Sequence, residues 1–547
     1  MKLINTLKYL TARLFNFSRN IALNLEMTLL LSHSRYSYSP IAAILIIVMI
    51  SLSCNGPSAQ KRDAAYYAAG TKEGYELAKY HCGNCHAFVP ANVLDRDTWK
   101  NSVLPDMASQ LGIEVMFGTE YVNSQTSGAD LTFKDWKKIV DYYIKSAPEK
   151  IQQAVPPVAI IPDSSYFSVK TPASKSEPFA KTVLTVIDTA TNSIFTSDAQ
   201  TNYLYRWNTK LQLIDSVQTY SPAVSAVFYN DAKGKKQGAF TTIGGLLATD
   251  AAIGKILQFD LANKLGPQEN IIAKNLPRPV CLARADINND SLADWVVCGF
   301  GHTKGGLYWF EQLPGGEYKK RNILERAGAT QVVVEDFNND GWNDIIALFA
   351  HEDECIRLFI NKHNGAFTET KLLSFPPVNG STSFQLVDFN NDGLKDILYT
   401  CGDNADVSKI FKPFHGVYIY LNKGNSKYEQ AYFYPINGCT KAVAADFDMD
   451  GKTDIATIAF YADFMNRPRE KFLFLRQDGP LHFQPYAPPV ENNGRWLCMD
   501  VKDYDKDGDP DILLGNFARD FFIEKDYQAH WDVHAPITLL ENKKIQK

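Results

Sequence analysis

The sequence predicts a multidomain chain: a small all-α domain followed by an all-β propeller of about seven four-stranded blades. Three observations carry this. Helical periodicity is confined to the stretch before residue 150. Beyond residue 166 it gives way to short apolar runs separated by turn clusters. An acidic segment then recurs five times in register. Composition agrees with a folded chain of 547 residues, 45% of them hydrophobic and 21% charged. That excludes wholesale disorder. A net charge of −5 without basic runs gives no footprint for nucleic acid.

The helices come first along the chain. Residues 72–80 set Tyr75, Leu77 and Ala78 at helical spacing ahead of Cys82. From Thr132, which can cap it, a second helix places Phe133, Trp136, Ile139, Val140 and Tyr143 on one face of a 3.6-residue period, ending before Pro148. The Pro-rich run AVPPVAIIPDSS at 154–165 reads as a linker.

The five acidic segments are ADINNDSLADWVV (285–297), EDFNNDGWNDIIA (335–347), VDFNNDGLKDILY (387–399), ADFDMDGKTDIAT (445–457) and KDYDKDGDPDILL (502–514). Their leading aspartates are 50, 52, 58 and 57 residues apart. In each unit one apolar strand enters the loop and a second leaves it. A third ends in a turn, as in RLFINKHNG and VYIYLNKGN, and a fourth closes the unit. Four short antiparallel strands per unit make a propeller blade. At a mean step of about 54 residues, positions 165–541 accommodate about seven blades. Two of them, at roughly 180–275, lack the acidic motif. The chain stops just after ITLLENKK, a third-strand sequence, so YFSVKT at 166–171 is expected to supply the missing outer strand and close the ring.

Ahead of the helices, Ile41–Ser53 is an apolar stretch of 13 residues. A spanning helix needs about 20, so the stretch fits the core of an export signal. Leu52-Ser53-Cys54 resembles a bacterial lipoprotein lipobox, with Ser51 where Leu is usual. The resemblance implies lipidation at Cys54, a signal peptide over 1–53 (Met27 being an alternative start) and a tether over 54–70. A short uncleaved anchor is the competing reading. Both place the remainder outside the cytoplasm, in a bacterial cell envelope at the outer membrane or facing the periplasm, held to the membrane by the anchor. The expected domains are 71–150 helical, 151–165 linker and 166–547 propeller. Of nine cysteines, Cys281, Cys298, Cys355, Cys401, Cys439 and Cys498 have no motif. Export permits disulfides, but spacing chooses no pairing, and buried free thiols are the alternative.

His81-Cys82-Gly83-Asn84-Cys85-His86 contains C-x-x-C-H. Two thiols three residues apart on a helical turn can both form thioethers to haem vinyl groups, and the adjacent His then faces the iron. The surroundings, Gly74-Tyr-Glu-Leu, a middle segment with LPDM and a C-terminal helix with Tyr-Tyr, resemble a class I cytochrome c over residues 70–147. The resemblance implies haem c held by Cys82 and Cys85, His86 as proximal ligand and a Met as distal ligand. Met107 is expected in that role, because Pro105 fixes the loop that carries it. Met116 is the rival.

Each acidic loop reads D-x-[DN]-x-[DN]-[GS]-x-x-D. Oxygen ligands at alternate positions with a tight turn describe a calcium loop. Turns closed by their own Asp and Asn side chains, without an ion, are the alternative. The expected ligands are Asp286, Asn288, Asp290 and Asp294; Asp336, Asn338, Asp340 and Asp344; Asp388, Asn390, Asp392 and Asp396; Asp446, Asp448, Asp450 and Asp454; and Asp503, Asp505, Asp507 and Asp511. The twelfth-position Glu of an EF-hand is absent, and strands flank the loop. This combination resembles the FG-GAP or VCBS repeats of integrin-type propellers, which implies structural Ca2+. Ser291 departs from the pattern at the Gly position.

The loops after each second strand are polar, including His302, His351, Glu354, Asp403, Asp406, Asp463 and Arg519. They are expected on the face opposite the acidic loops, as a ligand site or as ordinary solvated loops. No nucleophile motif, phosphate-cradling loop or paired-carboxylate spacing stands out, so no catalytic residue is assigned. Three functions compete: a lipid-anchored cytochrome that transfers electrons and uses its propeller to dock a redox partner, an envelope protein or a carbohydrate; a propeller oxidoreductase that passes substrate electrons to its own haem; and a calcium-dependent adhesion protein. The first is preferred, because a haem motif is in the sequence and a second redox centre is not.

Overall fold

Seven antiparallel sheets follow one another around a ring from Thr182 to Asn542 in a computed structural model. It describes residues 71–116, 119–122, 130–266, 270–404, 409–524 and 527–543. The expected export signal, lipobox with Cys54 and tether fall outside the described residues. Among the described residues, no helix is long and apolar enough to cross a membrane.

Blades I and II run from Thr182 to Gln218 and from Ala223 to Leu276. Blades III to VI begin at Pro279, Ala329, Ser381 and Cys439. Blade VII joins Trp496–Lys502, Asp511–Asn516 and Ile537–Asn542 to Phe167–Lys170. The register Leu540↔Val169 makes that outer strand antiparallel to Ile537–Asn542, so the ring closes with a strand from each end of the propeller. The chain is thus a seven-bladed propeller of four-stranded blades.

The core is distributed over the seven interfaces between blades. The second strand of blade IV, Asp344–Phe349, is buried throughout. Its odd-numbered Ile345, Ala347 and Phe349 pack on blade III, and Ile346 and Leu348 pack on blade V. A strand buried on both faces must be apolar at every position, which is why these runs do not alternate. Inner strands are also tied by side chains. Gln331 donates to the Phe384 carbonyl at 2.8 Å and accepts from its N–H at 3.1 Å, and Gln385 does the same with Ala444 at 3.3 and 2.8 Å.

Before the ring, helix α1 (Lys72–Cys82) crosses helix α3 (Phe133–Ser146). Gly74 allows that crossing, since a Cβ there would stand 2.2 Å from the Lys138 carbonyl oxygen. Thr132 caps α3 by accepting from the Asp135 N–H at 3.1 Å. Two features correct the sequence reading. Met107 sits on helix α2 (Leu104–Gln110), not in a loop, because Pro105 occupies the first turn, where its missing N–H costs nothing. The segment is also not all-α: Glu114–Met116 and Glu120–Val122 pair as a hairpin carrying Met116. The Pro-rich run is not free either. Ile161–Pro162 adds a parallel fifth strand to blade VI, and Val158 accepts from the Tyr434 hydroxyl at 3.1 Å.

Candidate functional site

Cys82 ends α1, and Cys85 and His86 follow in the turn that continues it. His86 Nδ1 lies 2.9 Å from the Ala87 carbonyl oxygen. A carbonyl only accepts, so the proton belongs on Nδ1 and the Nε2 lone pair is left for a ligand. Cys82, His86 and Met107 line one cleft, walled by Val89, Trp99, Val103, Leu104, Trp136 and Tyr143. Burial pushes the Cys82 thiol up to about 11. Tyr143 and Trp99 are fixed by bonds to the Val89 and Ala91 carbonyls, both 2.9 Å. Trp136 is fully buried, and its Nε1 has no partner among the described residues. Cys85 is exposed and does not line the cleft. Met116 is 41% exposed and does not line it.

The far wall of the cleft belongs to the propeller: Ala350–Glu352 and Glu354 of blade IV, and Gly380, Asp403 and Lys412 around blade V. His351 presents a buried Nδ1 with no partner among the described residues. Its ring lies 6.0 Å from that of His302. Glu354 is fixed by the N–H groups of Gly380 at 3.1 Å and Ser381 at 2.8 Å, and burial pushes it up to about 7. The polar loops after the second strands therefore divide. Those of blades IV and V border the cleft. Others are closed by local bonds, as where Asp463 holds Asn466 at 3.0 Å and Asp520 holds Lys181 at 2.8 Å. Asp406 lies outside the described residues.

The five acidic loops share one geometry. The leading aspartate accepts from the fifth- and sixth-position N–H groups, as Asp336 does from Asp340 and Gly341 at 3.0 and 2.8 Å. The sixth position is left-handed in every copy, with φ 86° at Gly341 and 68° at Ser291. The ninth-position aspartate is buried and bridges strands. Asp344 accepts from Phe337 at 3.2 Å and Asn361 at 2.8 Å, and Asp294, Asp396, Asp454 and Asp511 make the same two bonds. In the first three loops the third-position amide turns to the fifth-position carboxylate, as Asn338 does to Asp340 at 2.9 Å.

The last two loops bring carboxylates closest. Oxygens of Asp446, Asp448 and Asp454, and of Asp503, Asp505 and Asp507, each fall within 4.8 Å of one another. In blade VI, Arg476 bonds Asp448 and approaches Asp450 at 3.4 Å. In blade VII, Asp509 is 1% exposed, and its carboxyl lies against that of Asp507. Sequence reasoning missed Asp509, Arg476 and the cleft residues Trp136 and Tyr143. Both stood on the α3 face, and Tyr143 also in the Tyr-Tyr of the cytochrome resemblance, but neither was assigned to a site.

These arrangements define a propeller built on acidic-loop repeats. Residues 286–347 and 336–399 match the FG-GAP-like repeat, so the chain carries FG-GAP repeats in its ring. Solved structures with a similar arrangement include the Neurospora crassa Pan2 WD40 domain, 10% identical with a TM-score of 0.43 over 71% of this chain and 99% of that one. Virginiamycin B lyase from Staphylococcus aureus is also 10% identical, with a TM-score of 0.43 over 69% of this chain and 99% of that one. No curated protein matches the sequence.

Proposed function

We propose that the chain is a lipid-anchored c-type cytochrome that transfers electrons in the bacterial envelope, with its propeller as a calcium-stabilised platform that docks a redox partner or another envelope ligand. The observation that carries this is the meeting of Cys82, His86 and Met107 on one apolar cleft. The donor set suits haem c: Cys82 and Cys85 would hold it covalently, His86 Nε2 and Met107 sulfur would face the iron, and the unpartnered Trp136 N–H would meet an acceptor on the occupant. A haem held there supplies one reversible electron. The chain's own residues exclude water through Val89, Val103 and Leu104 and orient the imidazole through Ala87. Met107 is preferred to Met116 because Met116 stands on the exposed hairpin.

Calcium is supported most strongly in blade VII. Three carboxylates within 4.8 Å repel unless a cation joins them, and Asp509 adds a fourth, buried carboxyl against Asp507. A second reading, an oxidoreductase whose substrate sits beside the haem, is favoured by His351, Glu354, Asp403 and Lys412 on the same cleft. The deciding experiment is a reduced-minus-oxidised spectrum of the full chain matured with the cytochrome c assembly machinery. A sharp band that survives acid–acetone extraction is expected. A chain that matures without covalent haem overturns the proposal.

A further inference from the structure

Cys281 and Cys298 face each other across the first and second strands of blade III. The antiparallel register pairs them directly. Directly opposed residues on such strands have Cα atoms about 4.5–5.5 Å apart, inside the range that a disulfide spans. Blade V gives an internal standard for the side chains. Ser383 and Thr400 occupy the same register there, five residues ahead of the leading aspartate as Cys281 is, and their hydroxyls touch at 2.7 Å. The repeat therefore directs both side chains of this pair to one side of the sheet and into contact. The strand register alone makes this pairing, which the spacing of six cysteines did not.

The two thiols are not equivalent. Cys298 is fully buried, whereas Cys281 is partly exposed. Of the two, Cys281 has the thiol held below its usual value. Contact with Cys298 lowers it most; burial opposes this, and the Val332 N–H, the Lys441 ammonium and the Ser225 hydroxyl lower it further. Burial keeps Cys298 well above the usual thiol value. Attack on a disulfide oxidant needs a thiol that the oxidant can reach, and of the two only Cys281 is partly exposed.

We propose that Cys281 and Cys298 form a disulfide that staples the first two strands of blade III across the base of the first acidic loop, with Cys281 as the attacking thiol. The Cys281 thiolate attacks one sulfur of a disulfide oxidant, breaking that S–S bond and releasing one thiolate, which takes up a proton. Cys298 then gives up its proton and attacks Cys281 Sγ, releasing the second thiol. Two protein thiols are oxidised, and the oxidant is reduced to two thiols. The closed loop spans residues 282–297 and contains Ser291, the one sixth-position residue of the five that holds its left-handed φ without being glycine. The staple falls on the one acidic loop that holds two non-glycine residues left-handed, Asn289 and Ser291. The inference does not depend on haem or calcium.

The test treats the folded full chain with oxidised glutathione, denatures it in the presence of iodoacetamide so that every free thiol is blocked, and digests with trypsin. The Arg278–Pro279 bond resists cleavage, so Cys281 lies in Asn275–Arg284 and Cys298 in Ala285–Lys304. These two peptides are expected joined, and separated by reductant. In Cys298→Ser, Cys281 should carry glutathione. If that variant does not fold, Cys281→Ser serves, with Cys298 expected to remain unmodified. Recovery of both cysteines as alkylated free thiols overturns the proposal, as does a link from Cys281 to any other cysteine. Glutathione on Cys298 in Cys281→Ser overturns the order of attack.

Discussion

Glu470 and Lys471 are adjacent in sequence and almost fully buried, at 1% and 2% exposure, yet each turns to its own partner. Glu470 meets the Arg467 guanidinium at 3.5 Å. Lys471 donates to the Gly494 carbonyl at 3.0 Å and lies 4.3 Å over the Trp531 ring. Neighbours on a tight turn cannot face each other, so each charge carries its own burial cost. Burial pushes Glu470 up from 4.5 to about 7 and Lys471 down from 10.5 to about 7.

The two residues give opposite pH dependences. Between 4.5 and about 7 the folded chain keeps a proton on Glu470 that the unfolded chain releases, so stability falls as pH rises. Between about 7 and 10.5 the unfolded chain holds a proton on Lys471 that the folded chain lacks, so stability rises with pH. Urea midpoints across this range should show a shallower acid-side decline in Glu470→Gln and a smaller alkaline rise in Lys471→Met. Slopes unchanged from the parent protein would refute the assignment.

Asp344→Ala should be among the most damaging single changes in an acidic loop. It leaves the N–H groups of Phe337 and Asn361 without their acceptor in a buried place. At about 1–3 kcal/mol per orphaned group, a loss of about 3 kcal/mol is expected in denaturant unfolding. Asp344→Asn keeps one acceptor oxygen and should lose less.

Chelation should lower the thermal midpoint, and calcium should restore it. At free calcium 100-fold above Kd, one site adds about 2.7 kcal/mol. The tightest site is expected in blade VII, because Arg476 already neutralises Asp448 in blade VI. Calorimetric titration should show the strongest binding lost in Asp505→Asn, and binding gained in blade VI in Arg476→Ala.

Met107→Ala should remove the weak far-red charge-transfer band of Met-ligated ferric haem, and Met116→Ala should leave it. Optical spectra of the two matured variants decide between them. The reverse pattern would move the ligand to the hairpin.

The ring was legible because the acidic loop repeats with little change, and a repeated unit announces its own length. Blades I and II were visible only as strands and turns, since their loops carry no acidic signature. Met107 was misplaced in a loop because Pro105 reads equally as a turn residue and as a first-turn helix residue; packing of Val103, Leu104 and Ala108 decides for the helix. The ninth-position aspartates were read as ion ligands from their spacing. Their bonds to two strands, as Asp344 makes to Phe337 and Asn361, follow from tertiary contacts that spacing cannot encode. The cleft escaped for the same reason, because half of its wall comes from residues more than 200 positions away, such as His351 and Lys412.

Val169 and Leu540 pair in blade VII across 371 positions of chain, and Asn542 pins the same blade by donating to the Phe447 carbonyl at 2.7 Å. The last blade cannot assemble until almost the whole polypeptide has emerged, so a ribosome or export channel delivers an open arc, not a ring. During that interval the free edges of blades I and VII are exposed to neighbouring chains.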